Sequence, residues 1–113
     1  LEDRGIDVDK ITKATTLYDG PAREAVKLFP KNVNVSAILS LAGVGPDKTR
    51  VVIVCDPTAS SNTHEIKASG AFGAFESRAD NVPSPENPGT SYMACLSAVQ
   101  TLRRICGRLE IGT

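Results

Sequence analysis

The run Val51-Val52-Ile53-Val54-Cys55, closed by Asp56-Pro57, constrains the fold more than any other stretch. Its β-branched side chains are stiff at χ1 and favour extended backbone, so the run reads as a buried strand. Asp-Pro and the small polar residues Thr58 to Thr63 then turn the chain back. Proline fixes φ and removes a donor, while serine, threonine and asparagine hydrogen-bond locally. His64-Glu65-Ile66-Lys67-Ala68 resumes at strand period. The single histidine of the 113 residues therefore falls at a strand mouth, fenced by hydroxyls and an amide. A free imidazole titrates near 6.5, which suits proton transfer at neutral pH. A hydrogen-bonded structural histidine is the alternative that spacing alone leaves open.

Before that centre, residues 1–10 read as an acidic linker or irregular end, and Ile11 to Tyr18 alternates loosely as a strand. Gly20-Pro21 marks a helix entry, with Pro at the first helical position. Ala22, Ala25, Val26 and Phe29 then recur at helical steps until Pro30 stops the helix. Val35 to Ala42 forms a second helix, capped by Asn32 or Asn34 and almost free of charge on every face. Such a helix is buried or lies under another domain. After the central strand come a strand through Ala68, a turn at Gly70-Ala71-Phe72-Gly73 and a half-solvated strand from Phe72 to Ala79. Three prolines within Pro83–Pro88 make a stiff connector. Thr90 caps a long helix from Ser91 to about Cys106, whose Tyr92, Leu96, Val99 and Leu102 form one apolar stripe. Arg103, Arg104 and Arg108 complement the dipole at its end. The order β-α-α-β-β-β-α implies an α+β fold, a small mixed and partly antiparallel sheet with helices packed on it.

At this length one domain is expected, spanning residues 11–113. Thirteen basic residues balance thirteen acidic ones, so no net field favours nucleic acid or an anionic membrane. No run approaches the roughly 18 apolar residues of a membrane span. Cys55, Cys95 and Cys106 lack metal-ligand or redox spacing and read as buried free thiols of a cytoplasmic protein. A glycine-rich dinucleotide loop and a phosphate loop are both missing, and no second histidine is present for a metal site.

Three runs nevertheless resemble one family closely. They are Gly20-Pro21-Ala22-Arg23-Glu24-Ala25-Val26-Lys27-Leu28-Phe29-Pro30-Lys31-Asn32-Val33-Asn34-Val35; Asp56-Pro57 with Asn62-Thr63-His64-Glu65-Ile66; and Asn81-Val82-Pro83-Ser84-Pro85-Glu86-Asn87-Pro88 with Thr90-Ser91-Tyr92. In this order they are similar to the L-aspartate dehydrogenases that use NAD or NADP. The resemblance implies the C-terminal catalytic and dimerisation domain of such an enzyme, preceded in the same polypeptide by a Rossmann domain that holds most of the cofactor. The beginning at Leu1 rather than Met agrees with a fragment or an excised domain.

What the resemblance implies for the site is specific. His64 matches the family's active-site histidine, and Asn34 matches a residue that contacts the dinucleotide. The reaction implied is reversible oxidative deamination of L-aspartate to iminoaspartate in NAD biosynthesis, by a cytoplasmic homodimer. Asn62, Thr63 and the backbone N–H groups near Val35 are candidates to hold the substrate carboxylates. A related two-domain dehydrogenase or reductase with another substrate is the alternative, as is a standalone dimerisation or ligand-binding module without activity.

Overall fold

The computed structural model describes residues 6–107, which divide into two compact units meeting in sequence between Thr58 and Ala59. Residues 1–5 of the expected N-terminal linker, and Arg108 beyond the last helix, lie outside the described residues. Within the linker Val8–Lys10 forms one 3-10 turn, and Ile6 packs against the first unit's core.

In the first unit, strand β1 (Thr15–Pro21) leads directly into helix α1 (Ala22–Leu28). Helix α2 (Asn34–Ala42) follows, and strand β2 (Arg50–Cys55) then returns antiparallel to β1, pairing Thr15 with Cys55 and Pro21 with Arg50. β1 begins later than the alternation suggested, and its register shifts between Thr16 and Tyr18, so Leu17 forms a bulge. Pro21 precedes α1 rather than opening it. The first helical N–H groups find carbonyls in the loop before β2, with Ala22 donating to Thr49 at 2.8 Å and Arg23 to Pro46 at 3.1 Å. These bonds replace a side-chain cap. Ala22, Ala25, Phe29, Val33 and Val51 form the buried core. Two alanines at no exposure let α1 approach the β1–β2 pair closely.

α2 differs from expectation at its start. Val33, without a hydrogen-bonding side chain, occupies the N-cap, and Asn34 is the first helical residue. Its uncharged surface is open to solvent, with Ile38 69% and Leu41 80% exposed, and only Ser40 buried. Apolar surface of this kind marks an interface.

In the second unit, β3 (Asn62–Gly70) and β4 (Gly73–Asn81) form a continuous antiparallel hairpin, from Asn62↔Asn81 to Gly70↔Gly73. Ala71 and Phe72 turn with negative φ, and Gly73, at φ +116°, takes the conformation that an L side chain resists. The class and the element order are those the sequence implied. The strands form two separate two-stranded antiparallel sheets rather than one mixed sheet. Helix α3 (Tyr92–Cys106) has Ser91, not Thr90, at its N-cap, and none of its residues is buried. The three cysteines are free, as expected, but none is buried: Cys55 and Cys95 are half-exposed and Cys106 is exposed.

Candidate active site

Strand alternation sorts the hairpin into two chemical faces. His64, Ile66, Ser77, Ala79 and Asn81 share one face, and these are its half-buried and buried positions. Thr63, Glu65, Lys67, Glu76, Arg78 and Asp80 share the other, where Glu65 sits opposite Arg78 and Lys67 opposite Glu76. Opposite charges placed directly across strands reinforce the register. That register in turn fixes His64 on the uncharged face.

His64 is the third residue of β3, a little inside the strand rather than in the loop before it. The Asn81 amide nitrogen, at the last residue of β4, lies 2.7 Å from His64 Nδ1. Ser91 Oγ donates to Asn81 Oδ1 at 3.1 Å. Asn81 is only 8% exposed, and both ends of its amide are thereby satisfied. No other described side chain hydrogen-bonds the imidazole, so Nε2 has no side-chain partner among the described residues. Ser91 is brought back to the end of β4 by the proline connector. That segment closes on itself through Ser84 N–H to Thr90 C=O and Tyr92 N–H to Val82 C=O, with a Pro83–Ser91 bridge.

On the charged face, Arg78 donates to Asp80 and Glu65, and Thr63 Oγ1 donates to Asp80. The Arg78 hydrogen bonds, aided by Thr63, hold the Asp80 carboxyl below the usual aspartate range. A lowered folded-state value means that this stabilisation is complete above the unfolded value, about 3.9. It is lost as pH falls through the lowered one. Asp19, bonded bidentately by Arg50, and Asp47, bonded by Arg23, are shifted the same way. We predict that the urea midpoint falls between about pH 5 and pH 3 and that Asp80→Asn removes part of that fall. An unchanged slope in Asp80→Asn would take Asp80 out of the account.

The other sequence candidates separate clearly. Asn62 shares the His64 face by register, and its amide makes no side-chain hydrogen bond among the described residues. Thr63 lies on the opposite face, its hydroxyl committed to Asp80. Asn34, in the first unit, is exposed at the start of α2, and its carboxamide also makes no side-chain hydrogen bond among the described residues. Two surface hollows, about 430 Å³ beside Lys67 and Phe75 and about 310 Å³ beside Asp19 and Thr49, include neither His64 nor Asn34. The first lies at the turn end of the hairpin, away from the imidazole. Asn81 and Ser91 were not singled out from sequence. Their signal was a polar residue ending a strand just before a proline run that carries a serine back.

The model of the family described as "Aspartate dehydrogenase, C-terminal" matches residues 1–105, and the chain belongs to that family. It is 54% identical over 111 residues to an L-aspartate dehydrogenase of Methanosarcina acetivorans, covering 98% of this chain and 41% of the relative. To that of Nitrosopumilus maritimus it is 50% identical, covering 100% of this chain and 42% of the relative. The crystal structure of aspartate dehydrogenase from Thermotoga maritima superposes with a TM-score of 0.74 at 32% identity, over 98% of this chain and 42% of that one. The chain thus spans about two fifths of the length of the relatives it matches.

Proposed function

We propose that this chain is the catalytic domain of an NAD- or NADP-dependent L-aspartate dehydrogenase, catalysing reversible oxidative deamination of L-aspartate to iminoaspartate. The observation that carries the reading is the placement of His64, with Nδ1 anchored on Asn81 and Nε2 left free on the uncharged hairpin face. Loss of hydride from Cα requires electron push from a neutral amine, so the substrate ammonium must first give up a proton. Nε2 of His64 takes it, directly or through one water. The bound dinucleotide supplies the hydride acceptor.

Asn34 is the residue of this chain that suits contact with that cofactor. Asn34 offers two N–H donors and a carbonyl acceptor that make no side-chain hydrogen bond among the described residues, the complement of a nicotinamide carboxamide. Asn62 offers a donor to a substrate carboxylate on the same face as His64, while Thr63 braces the hairpin through Asp80. The rest of the dinucleotide belongs to a preceding Rossmann domain of the same polypeptide. The exposed apolar residues of α2 and α3 suit cover by that domain and by a second copy in a homodimer. Free thiols agree with a reducing, cytoplasmic setting.

The test is an assay of the full-length protein with L-aspartate and L-homoserine, each with NAD and NADP. Turnover of aspartate with either dinucleotide supports the reading. Turnover of homoserine alone would move the chain to a related dehydrogenase, and failure with both would leave a binding module.

A further inference from the structure

We propose that Asn81 is the positioning residue for His64, holding its Nδ1 and setting which ring nitrogen carries the proton, with Ser91 as the partner that lets its amide reverse. The role rests on the reading of His64 as the base. As the structure stands, Asn81 Nδ2–H points at Nδ1, which must then be an acceptor, so the neutral ring carries its hydrogen on Nε2. That tautomer can donate from Nε2 but cannot accept there. A ring ready to take the ammonium proton needs its hydrogen on Nδ1, facing Asn81 Oδ1. The same amide orientation also serves the imidazolium that results, since both of its nitrogens are donors.

The site is built to permit this reversal. A hydroxyl both donates and accepts, so Ser91 Oγ can donate to Oδ1, as observed, or accept from Nδ2–H when the amide turns. Neither orientation strands a buried polar atom. Ser91 also occupies the N-cap of α3, where a serine hydroxyl ordinarily bonds the helix's own N–H groups. It makes no such bond, and its oxygen is turned to Asn81 instead. The backbone around the pair is fixed by the β3–β4 ladder and by the Pro83–Ser91 bridge. The charged side chains beside His64 in the two strands, Glu65, Arg78 and Asp80, lie on the opposite face and bond one another. On its own face the neighbours in β4 are Ser77, Ala79 and Asn81, none of which is charged.

The test uses the full-length enzyme and three variants, Asn81→Asp, Asn81→Leu and His64→Asn. A carboxylate at position 81 keeps the shape but only accepts, so it locks hydrogen on Nδ1 and favours the imidazolium. In Asn81→Asp the acid limb of kcat/KM against pH moves up by about one unit, with activity retained above it. In Asn81→Leu the plateau kcat falls about 10- to 100-fold, because the ring loses its anchor, while KM for the dinucleotide holds. Nitrogen-15 NMR of the His64 ring, assigned by its disappearance in His64→Asn, reports the tautomer independently of turnover. An acid limb unmoved in Asn81→Asp, or a ring tautomer population unchanged from wild type in that variant, overturns the proposal. If instead the tautomer responds but His64→Asn keeps full activity, the base assignment to His64 is what fails.

Discussion

Replacing His64 by asparagine in the full-length protein is expected to lower kcat/KM for L-aspartate by about 10²- to 10⁴-fold near neutral pH, with little change in thermal stability. The size is that of a positioned general base removed from a proton-transfer step. The stability holds because His64 is only half-buried and is bonded to one side chain, Asn81. An asparagine at position 64 can keep an amide–amide hydrogen bond there while offering no basic nitrogen. The pH dependence separates this from a loss of shape. Without an internal base, turnover climbs as pH rises toward the range in which the substrate amine is free unaided, so the deficit shrinks at high pH. A variant that keeps the wild-type rate, or keeps the wild-type acid limb at a reduced rate, removes His64 from the proton-transfer step.

What could be read from the sequence depended on the range of the forces involved. The helical spacing of Ala22, Ala25 and Phe29 picked out three of the five core residues, because a helix writes its buried face into a local period. Val26, in the same pattern, remains 38% exposed, since α1 lays only part of its stripe on the β1–β2 pair. The caps of α2 and α3 each lie one residue from the expected position, at Val33 and Ser91. A capping residue type was present in both cases; at α3 the bonds from Ser91 Oγ to Asn81 and from Tyr92 N–H to the Val82 carbonyl mark the boundary. His64 was found as the lone imidazole beside a turn, and the hydroxyls expected around it were those of its own loop. The observed partner is Asn81, set by pairing across the hairpin, with Ser91 behind it. No local pattern encodes that contact; the strand register does. The charge-free α2 was read as buried or covered by another domain, and within this chain its surface is open to solvent.

Phe29→Ala is the substitution expected to damage the fold most, at about 3–5 kcal/mol. The first unit's core consists of five residues, and Phe29, 5% exposed, is the largest of them. The other four buried members are two alanines and two valines, so filling the space of a lost ring would require the partly buried Leu17, Leu28 and Ile53 around them to shift. The ring also meets Tyr18 edge-on, with centroids 6.0 Å apart and planes at 64°, a geometry that contributes about 0.5–1.5 kcal/mol beyond area alone. Tyr18 is held in place from the other side, its hydroxyl donating to the Pro21 carbonyl at 2.7 Å. Collapse of Tyr18 into the cavity would break that bond and disturb the junction of β1 and α1. Against a typical domain stability of about 5–15 kcal/mol, the loss removes a large fraction of what holds the unit folded. Phe29→Leu, which keeps most of the volume, should cost less than half as much. Urea titration followed by tyrosine fluorescence measures both. Equal midpoints for Phe29→Ala and wild type would show that the weight of the core rests elsewhere than on Phe29.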